Sequence, residues 1–164
     1  MILRISGYQL IKIPRVDIPQ TAEFYDSQGD FNALYEQIRE YTVVSKNRLF
    51  MLYQLLKYSS NLEGDVAEVG VYKGGTAKLI AKTASFKDCH LFDTFSGMPA
   101  ICTEVDIHRE KDFGDVSFES VKSFLRDCSN VSFYQGIFPD TASLIKDKKF
   151  SFVYIDVDIY KSVK

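Results

Sequence analysis

The stretch Asp65–Thr76, DVAEVGVYKGGT, limits what this chain can fold into more than any other segment. Val66 to Val69 reads as a short buried strand, Gly70, Gly74 and Gly75 as a turn, and Thr76 to Thr83 as a helix. Such a junction leaves backbone N–H groups at a helix N-terminus without intrahelical partners, where a carboxylate or phosphate can sit. Gly70 permits a sharp turn and a close approach to the backbone because it has no Cβ. Glu68, at the end of the strand, is expected to point into the crevice where open α/β sheets bind ligands. An acid there is a poor neighbour for phosphate and a good one for an amine.

Known loop chemistries narrow this further. A dinucleotide fold needs G-x-G-x-x-G, but Val71, Tyr72 and Lys73 follow Gly70 where the second glycine belongs. A P-loop needs Lys and then Ser or Thr after its last glycine. Gly70 and Gly75 have that separation, but Thr76 stands in the lysine position. What remains is E-x-G-x-x-x-G, which resembles motif I of the S-adenosylmethionine-dependent methyltransferases. On this stretch alone, a tight turn in another α/β protein fits as well.

A length of 164 residues suggests one domain with a real core. The net charge of −2 argues against a nucleic-acid surface, which needs clustered Lys and Arg. The run Lys146-Asp147-Lys148-Lys149 reads as a solvated helix end. Cys89, Cys102 and Cys128 lie far apart with no C-x-x-C spacing, as in a reduced cytoplasmic protein. Polar residues interrupt Met1 to Ile13, so no signal peptide is expected, and no apolar run approaches a membrane span.

Along the chain, Tyr8 to Ile13 reads as a short strand, and Tyr35 to Tyr41 and Arg48 to Tyr58 as helices. The second helix has Leu49, Leu52, Tyr53, Leu55 and Leu56 on one face, with Ser45 as its N-cap. Cys89 to Phe92 is a second strand ending at Asp93, which lies 23 residues beyond Gly70. An acid about 20 residues after a glycine turn is where βαβ cofactor folds bind ribose hydroxyls. Its bland alternative is a turn cap.

Thr94 to Asp115 has no period and suits a lid. Within it, His108 is a candidate acid–base group or substrate contact, against the alternative of simple exposure. Asp106, Asp112 and Asp115 read as turn and cap residues ahead of a helix from Ser117 to Asp127, with Phe118, Val121, Phe124 and Leu125 facing the core.

Val131 to Tyr134 is a third strand, followed by Gly136, Ile137 and Phe138, an apolar pair suited to an adenine ring or to core packing. Pro139 or Asp140 starts the next helix. Phe150 to Ile155 is apolar throughout, hence expected to be buried on both faces. It delivers Asp156 and Asp158 at its tip, where hard oxygens can hold Mg²⁺ or cap a helix.

Taken together, GDVAEVGVYKGGTAKLIA (64–81), LFDTFSGMP (91–99), His108 to Leu125, FYQGIFPDT (133–141) and FSFVYIDVDIYKS (150–162) resemble the macrocin O-methyltransferase family, also called TylF/MycF-like. The bend is also similar to that of catechol O-methyltransferase, with Glu-x-Gly-x-Tyr in common. The resemblance implies a Rossmann-like class I α/β fold, with an N-terminal helical or lid segment over residues 1–60 and the cofactor domain over 61–164.

It also implies a Mg²⁺-dependent, cytoplasmic enzyme, expected to form homo-oligomers. Such an enzyme would methylate a hydroxyl of a sugar or glycoside and bind neither nucleic acid nor membrane. Glu68, Gly70, Tyr72 and Gly74 would hold the methionine end of S-adenosylmethionine, with Thr76 near its carboxylate. Asp93 would take the ribose, Gly136 and Ile137 would border the adenine, and Asp156 would line the cofactor site as first metal ligand. His108 and Asp158 are the catalytic candidates.

Family members continue with a fifth strand whose paired aspartates complete the metal site. Lys164 precedes that point, so a truncated fold is expected, with strand Phe150–Ile155 as an edge that a longer chain or a partner covers. Weak or absent turnover is the corresponding expectation for this stretch alone. A non-catalytic cofactor-binding module and, less favoured, an NAD-type oxidoreductase are the competing readings.

Overall fold

The computed structural model describes residues 29–97 and 114–157 in full, and the backbone alone of residues 2–5 and 8–11. His108, Asp158, Cys102, Asp106 and Asp112 lie outside the described residues. Strands β1 (Ile2–Ile5) and β2 (Tyr8–Ile11) pair as an antiparallel hairpin with Ile2 opposite Ile11. The strand expected over Tyr8–Ile13 is present over Tyr8–Ile11 and has a partner, while Lys12 and Ile13 lie outside the described residues.

Helix α1 (Gly29–Ile38) begins six residues before the expected start at Tyr35 and runs into a 3₁₀ turn, Arg39–Tyr41. Phe31, fully buried, explains the earlier start: its ring meets Tyr35, Phe50 and Tyr53 at 6.1, 5.0 and 5.5 Å. That contact anchors α1 to helix α2 (Lys46–Ser59). Leu49, Leu52, Tyr53 and Leu56 of α2 are buried as expected, while Leu55 stands exposed on the opposite face. Ser45 occupies the N-cap position, but its side chain makes no cap hydrogen bond.

The central sheet is parallel, in the order β5-β4-β3-β6, from β3 (Asp65–Val69), β4 (Cys89–Asp93), β5 (Val131–Gln135) and β6 (Phe150–Ile155). Helix α3 (Gly75–Thr83) follows the bend and is buried along nearly its whole length, between α1, α2 and the sheet. Its Leu79 and Ile80 are fully buried, each contributing about 1.5–3 kcal/mol by removal from water. Helix α4 (Phe118–Phe124) is shorter than the expected Ser117–Asp127. Ser117 and Ser120 exchange side-chain and backbone hydrogen bonds as a capping box at its start. Lys78 of α3, almost buried, ties the two helices together by donating to the Phe124 carbonyl at 3.1 Å and pairing with Asp127 at 2.9 Å.

Period-two alternation divides the strands between two faces, and a register shift at the start of β6 puts Phe150 on the face opposite Phe152. Val66, Leu91, Phe133, Phe152 and Tyr154 pack toward the helices. Ala67, Val69, Phe92, Tyr134 and Phe150 form a smaller cluster on the other side, where the Phe92 and Tyr134 rings stack at 4.5 Å. β6 departs from expectation here, since Val153 and Ile155 are 46% and 54% exposed. They are in register with Ala67 and Val69, and so face away from α2. Among the described residues β6 pairs with β3 alone, which makes it an edge.

At the start of the strands, His90 lies 2.9 Å from both the Tyr134 hydroxyl and Asp65 Oδ2, and Lys148 reaches the same Asp65 oxygen at 2.7 Å. Partial burial pushes the Asp65 carboxyl up, but the Lys148 and His90 hydrogen bonds outweigh it and hold the carboxyl below its usual range. Lys148 is therefore a tie to β3, not the freely solvated lysine its sequence neighbourhood suggests. The segment expected to begin a helix at Pro139 or Asp140 is a 3₁₀ turn, Asp140–Ile145.

Candidate active site

The chain runs outward from β3 through β4 to β5 and then returns to β6 on β3's other side, so the strand order reverses between β3 and β6. Open α/β sheets bind ligands outside the carboxyl ends of their strands at such a reversal. Here those ends are laced together. The Gly70 N–H donates to the Phe92 carbonyl, the Asp156 N–H to Val69, and the Gly136 N–H to Asp93, each at 2.9 Å. Glu68, Gly70, Tyr72, Gly74, Thr76, Asp93, Gly136, Ile137 and Asp156 therefore all lie on or beside one edge of the sheet.

The bend after β3 is left-handed at Gly70 (φ 92°), Tyr72 (φ 52°) and Gly74 (φ 90°). A bulky residue at positive φ is strained and persists only where its surroundings over-determine it. Tyr72 is held from two sides. Its N–H donates to Asp93 Oδ2 at 3.1 Å, and its hydroxyl donates to Asp115 Oδ1 at 2.9 Å. Hydrogen bonds from Lys73 and Tyr72 keep the Asp115 carboxyl below its usual range. Asp115 thus latches the bend, beyond the turn-and-cap role its sequence position suggests.

Asp93 is occupied in a way that spacing alone does not reveal. Its Oδ2 accepts the Val71 N–H at 2.6 Å as well as that of Tyr72, and its Oδ1 accepts the Phe95 N–H at 2.7 Å. The Thr94 hydroxyl, 3.4 Å from Oδ1, takes the fourth of a carboxylate's about four lone-pair sites, so a ligand hydroxyl has to displace that longest contact. Gly70 also differs from expectation. A Cβ there would sit 2.2 Å from the Asp156 carbonyl oxygen, so the close backbone approach is made by the β6 exit and not by a ligand. Ile137, beyond β5, is 45% exposed, while Phe138 packs edge-on to Phe92 at 5.6 Å.

Glu68 is not at an open lip. It shares its face of the sheet with Tyr154, its register partner on β6, and is 0% exposed. Neither carboxyl oxygen has a hydrogen-bond partner of ordinary geometry among the described residues. Burial pushes this carboxyl well above the usual range; Thr76 opposes, while the charges of Asp156 and Asp93 add to the rise. An unpartnered buried acid costs about 1–3 kcal/mol by mutational measures, which marks this position as one the fold tolerates for another reason.

The sequence profile of the macrocin O-methyltransferase (TylF) family matches residues 17–164. The chain belongs to this family. A crystal structure of CalS11, a calicheamicin methyltransferase, superposes with a TM-score of 0.58 at 14% identity, covering 80% of this chain and 67% of that one. That likeness is one of fold, a Rossmann-like methyltransferase sheet with helices, consistent with the strand order above. No curated protein matches the chain in sequence.

A divalent cation is poorly matched by the carboxylates described at these strand ends. Asp156 Oδ2 accepts the Tyr154 hydroxyl at 2.9 Å, and Oδ1 faces Arg48 Nη2 at 3.8 Å. One carboxylate already shared between a phenol and a guanidinium does not fit a Mg²⁺ site, which draws on hard oxygens from several groups. Asp158, the neighbouring candidate, lies outside the described residues. Sequence reading missed Arg48 and Tyr154, both placed at the site by residues far away in the chain. Of the two, Tyr154 had a signal, since it shares its face of β6 with Phe152.

Proposed function

We infer that this chain binds S-adenosylmethionine and transfers its methyl group to a hydroxyl of a sugar or glycosylated small molecule. The observation that carries the reading is Glu68, a wholly buried carboxyl with no hydrogen-bond partner of ordinary geometry among the described residues, beside the left-handed bend and the start of α3. A cofactor with a sulfonium and an ammonium suits an edge lined by Glu68, Asp93 and Asp156. A dinucleotide's pyrophosphate would be repelled by Asp93 and Asp156. One bridging water is enough to connect an ammonium to a buried carboxyl.

In this reading the bend amides and Thr76 orient the amino-acid tail, Asp93 exchanges its long Thr94 contact for the ribose, and Gly136 and Ile137 border the adenine. Rigid lacing of the strand ends keeps these groups in place, so the protein's contribution is orientation of sulfonium and acceptor for in-line attack. The described residues do not build a site for the Mg²⁺ that would acidify the acceptor hydroxyl. His108 and Asp158 remain the candidates for handling the acceptor's proton. No helix among the described residues is long and apolar enough to cross a membrane.

A second reading, a binding module without turnover, is favoured by the engagement of Asp156 with Arg48 and Tyr154. Titration calorimetry with S-adenosylmethionine and with NAD tests the first part of the proposal. Saturable heat with the sulfonium compound and none with NAD is expected, and the reverse pattern would overturn it. Release of S-adenosylhomocysteine that depends on an added glycoside then separates enzyme from module.

A further inference from the structure

A cation in the first turn of a helix opposes the positive end of that helix's own dipole. Helix α2 nevertheless opens with Lys46 and Arg48 and has no acid in that turn. Among the described residues the Arg48 side chain, 66% exposed, makes one long approach of 3.8 Å to Asp156 Oδ1. A guanidinium matched to a carboxylate makes two parallel, shorter bonds. Arg48 therefore stands beside the strand ends without a close partner in Asp156, at an unfavourable place on its helix.

The same strand ends collect the acids. Asp156 and Asp93 both act electrostatically on Glu68. An amino-acid tail brings a carboxylate next to its ammonium, and these acids repel it. The partial charge of a helix terminus, about half a unit, is a weak counterweight to them. Nearby lysines are committed elsewhere, Lys73 to Asp115 and Lys78 and Lys82 to Asp127.

The geometry points to Arg48 as the residue that takes the α-carboxylate of the sulfonium cofactor's amino-acid tail, exchanging its long contact with Asp156 for a bidentate one with the ligand. This rests on the cofactor reading above. It assigns α2 a part in ligand binding, with the acids taking the cationic side of the tail and Arg48 the anionic side.

The test is calorimetric titration of the wild-type chain, Arg48→Ala and Arg48→Lys with S-adenosylmethionine and with its decarboxylated analogue. Arg48→Ala is expected to weaken S-adenosylmethionine by about tenfold or more while leaving the analogue within about twofold, and Arg48→Lys to fall between, because an ammonium lacks the fork. An exposed position makes an unchanged unfolding midpoint the expected control. Equal losses for both ligands, or no loss for either, would overturn the assignment of Arg48 while leaving the cofactor reading intact. A wild-type chain that binds neither ligand would overturn both.

Discussion

Glu68→Met should make the protein more stable and a worse binder. Methionine has nearly the shape of glutamate and no group that needs a partner in the cavity, where neither Glu68 oxygen has one of ordinary geometry among the described residues. Relief of about 1–2 kcal/mol corresponds to about 3–6 °C in Tm for a chain of this size.

The gain should depend on pH in a definite direction. Because the folded carboxyl is raised well above 4.5, the folded state keeps a proton that the unfolded chain releases. Wild-type stability then falls as pH rises past 4.5 toward the folded value, and below 4.5 that loss is absent. The advantage of Glu68→Met should therefore widen between pH 4.5 and neutrality. Loss of the acid should also weaken S-adenosylmethionine by about tenfold to a hundredfold, the range for a charge-assisted hydrogen bond. Thermal melts across pH, paired with calorimetry, check both halves. A destabilised variant with unchanged affinity would mean that Glu68 is an ordinary core residue.

Gly70→Ala should be the most damaging small substitution in the chain. Left-handed backbone costs an alanine about 1–2 kcal/mol, and φ at Gly70 is 92°. The added carbon would also lie 2.2 Å from the Asp156 carbonyl oxygen and 2.9 Å from its carbon. Those are backbone atoms, fixed by the Asp156 N–H to Val69 hydrogen bond, so they cannot swing aside. Overpacking adds about 1–3 kcal/mol, for a total of about 3 kcal/mol or more, a large share of a typical domain's 5–15 kcal/mol. A drop in Tm of about 10 °C, or failure to fold, is expected in thermal denaturation. Gly136→Ala should do less, because its nearest obstacle is a side-chain methyl, Thr141 Cγ2 at 2.9 Å. A Gly70→Ala variant that melts with the wild type would show that β6 does not exit against the bend.

What could be read in advance divides along the range of the interaction. The four parallel strands were legible because each carries its own short apolar run ended by glycine or aspartate, and α3 because it follows the glycine turn. Glu68 was legible as the acid near the end of β3 beside the bend, and its burial could have been inferred from sharing a strand face with Val66. The roles of Asp93 and Asp115 could not, because both depend on a left-handed Tyr72 that no local pattern announces. Arg48 was hidden in the same way: on α2 it is one more polar residue of an amphipathic helix, until β6 brings Asp156 beside it. Burial of β6 on both faces was overestimated because an apolar run says nothing about which side has a covering layer. The Tyr134–His90–Asp65–Lys148 chain needs three strands in register and one turn before any of its members meet.

Amide hydrogen exchange with and without saturating S-adenosylhomocysteine tests most directly whether the bend after β3 is a cofactor cradle. Exchange should slow at Lys73 to Ala77, at the start of α3, and around Asp93 to Phe95, with little change at the Asp65–His90 end of the same strands. Saturating ligand that leaves the bend's exchange untouched, or protects only the opposite end of the sheet, would contradict it.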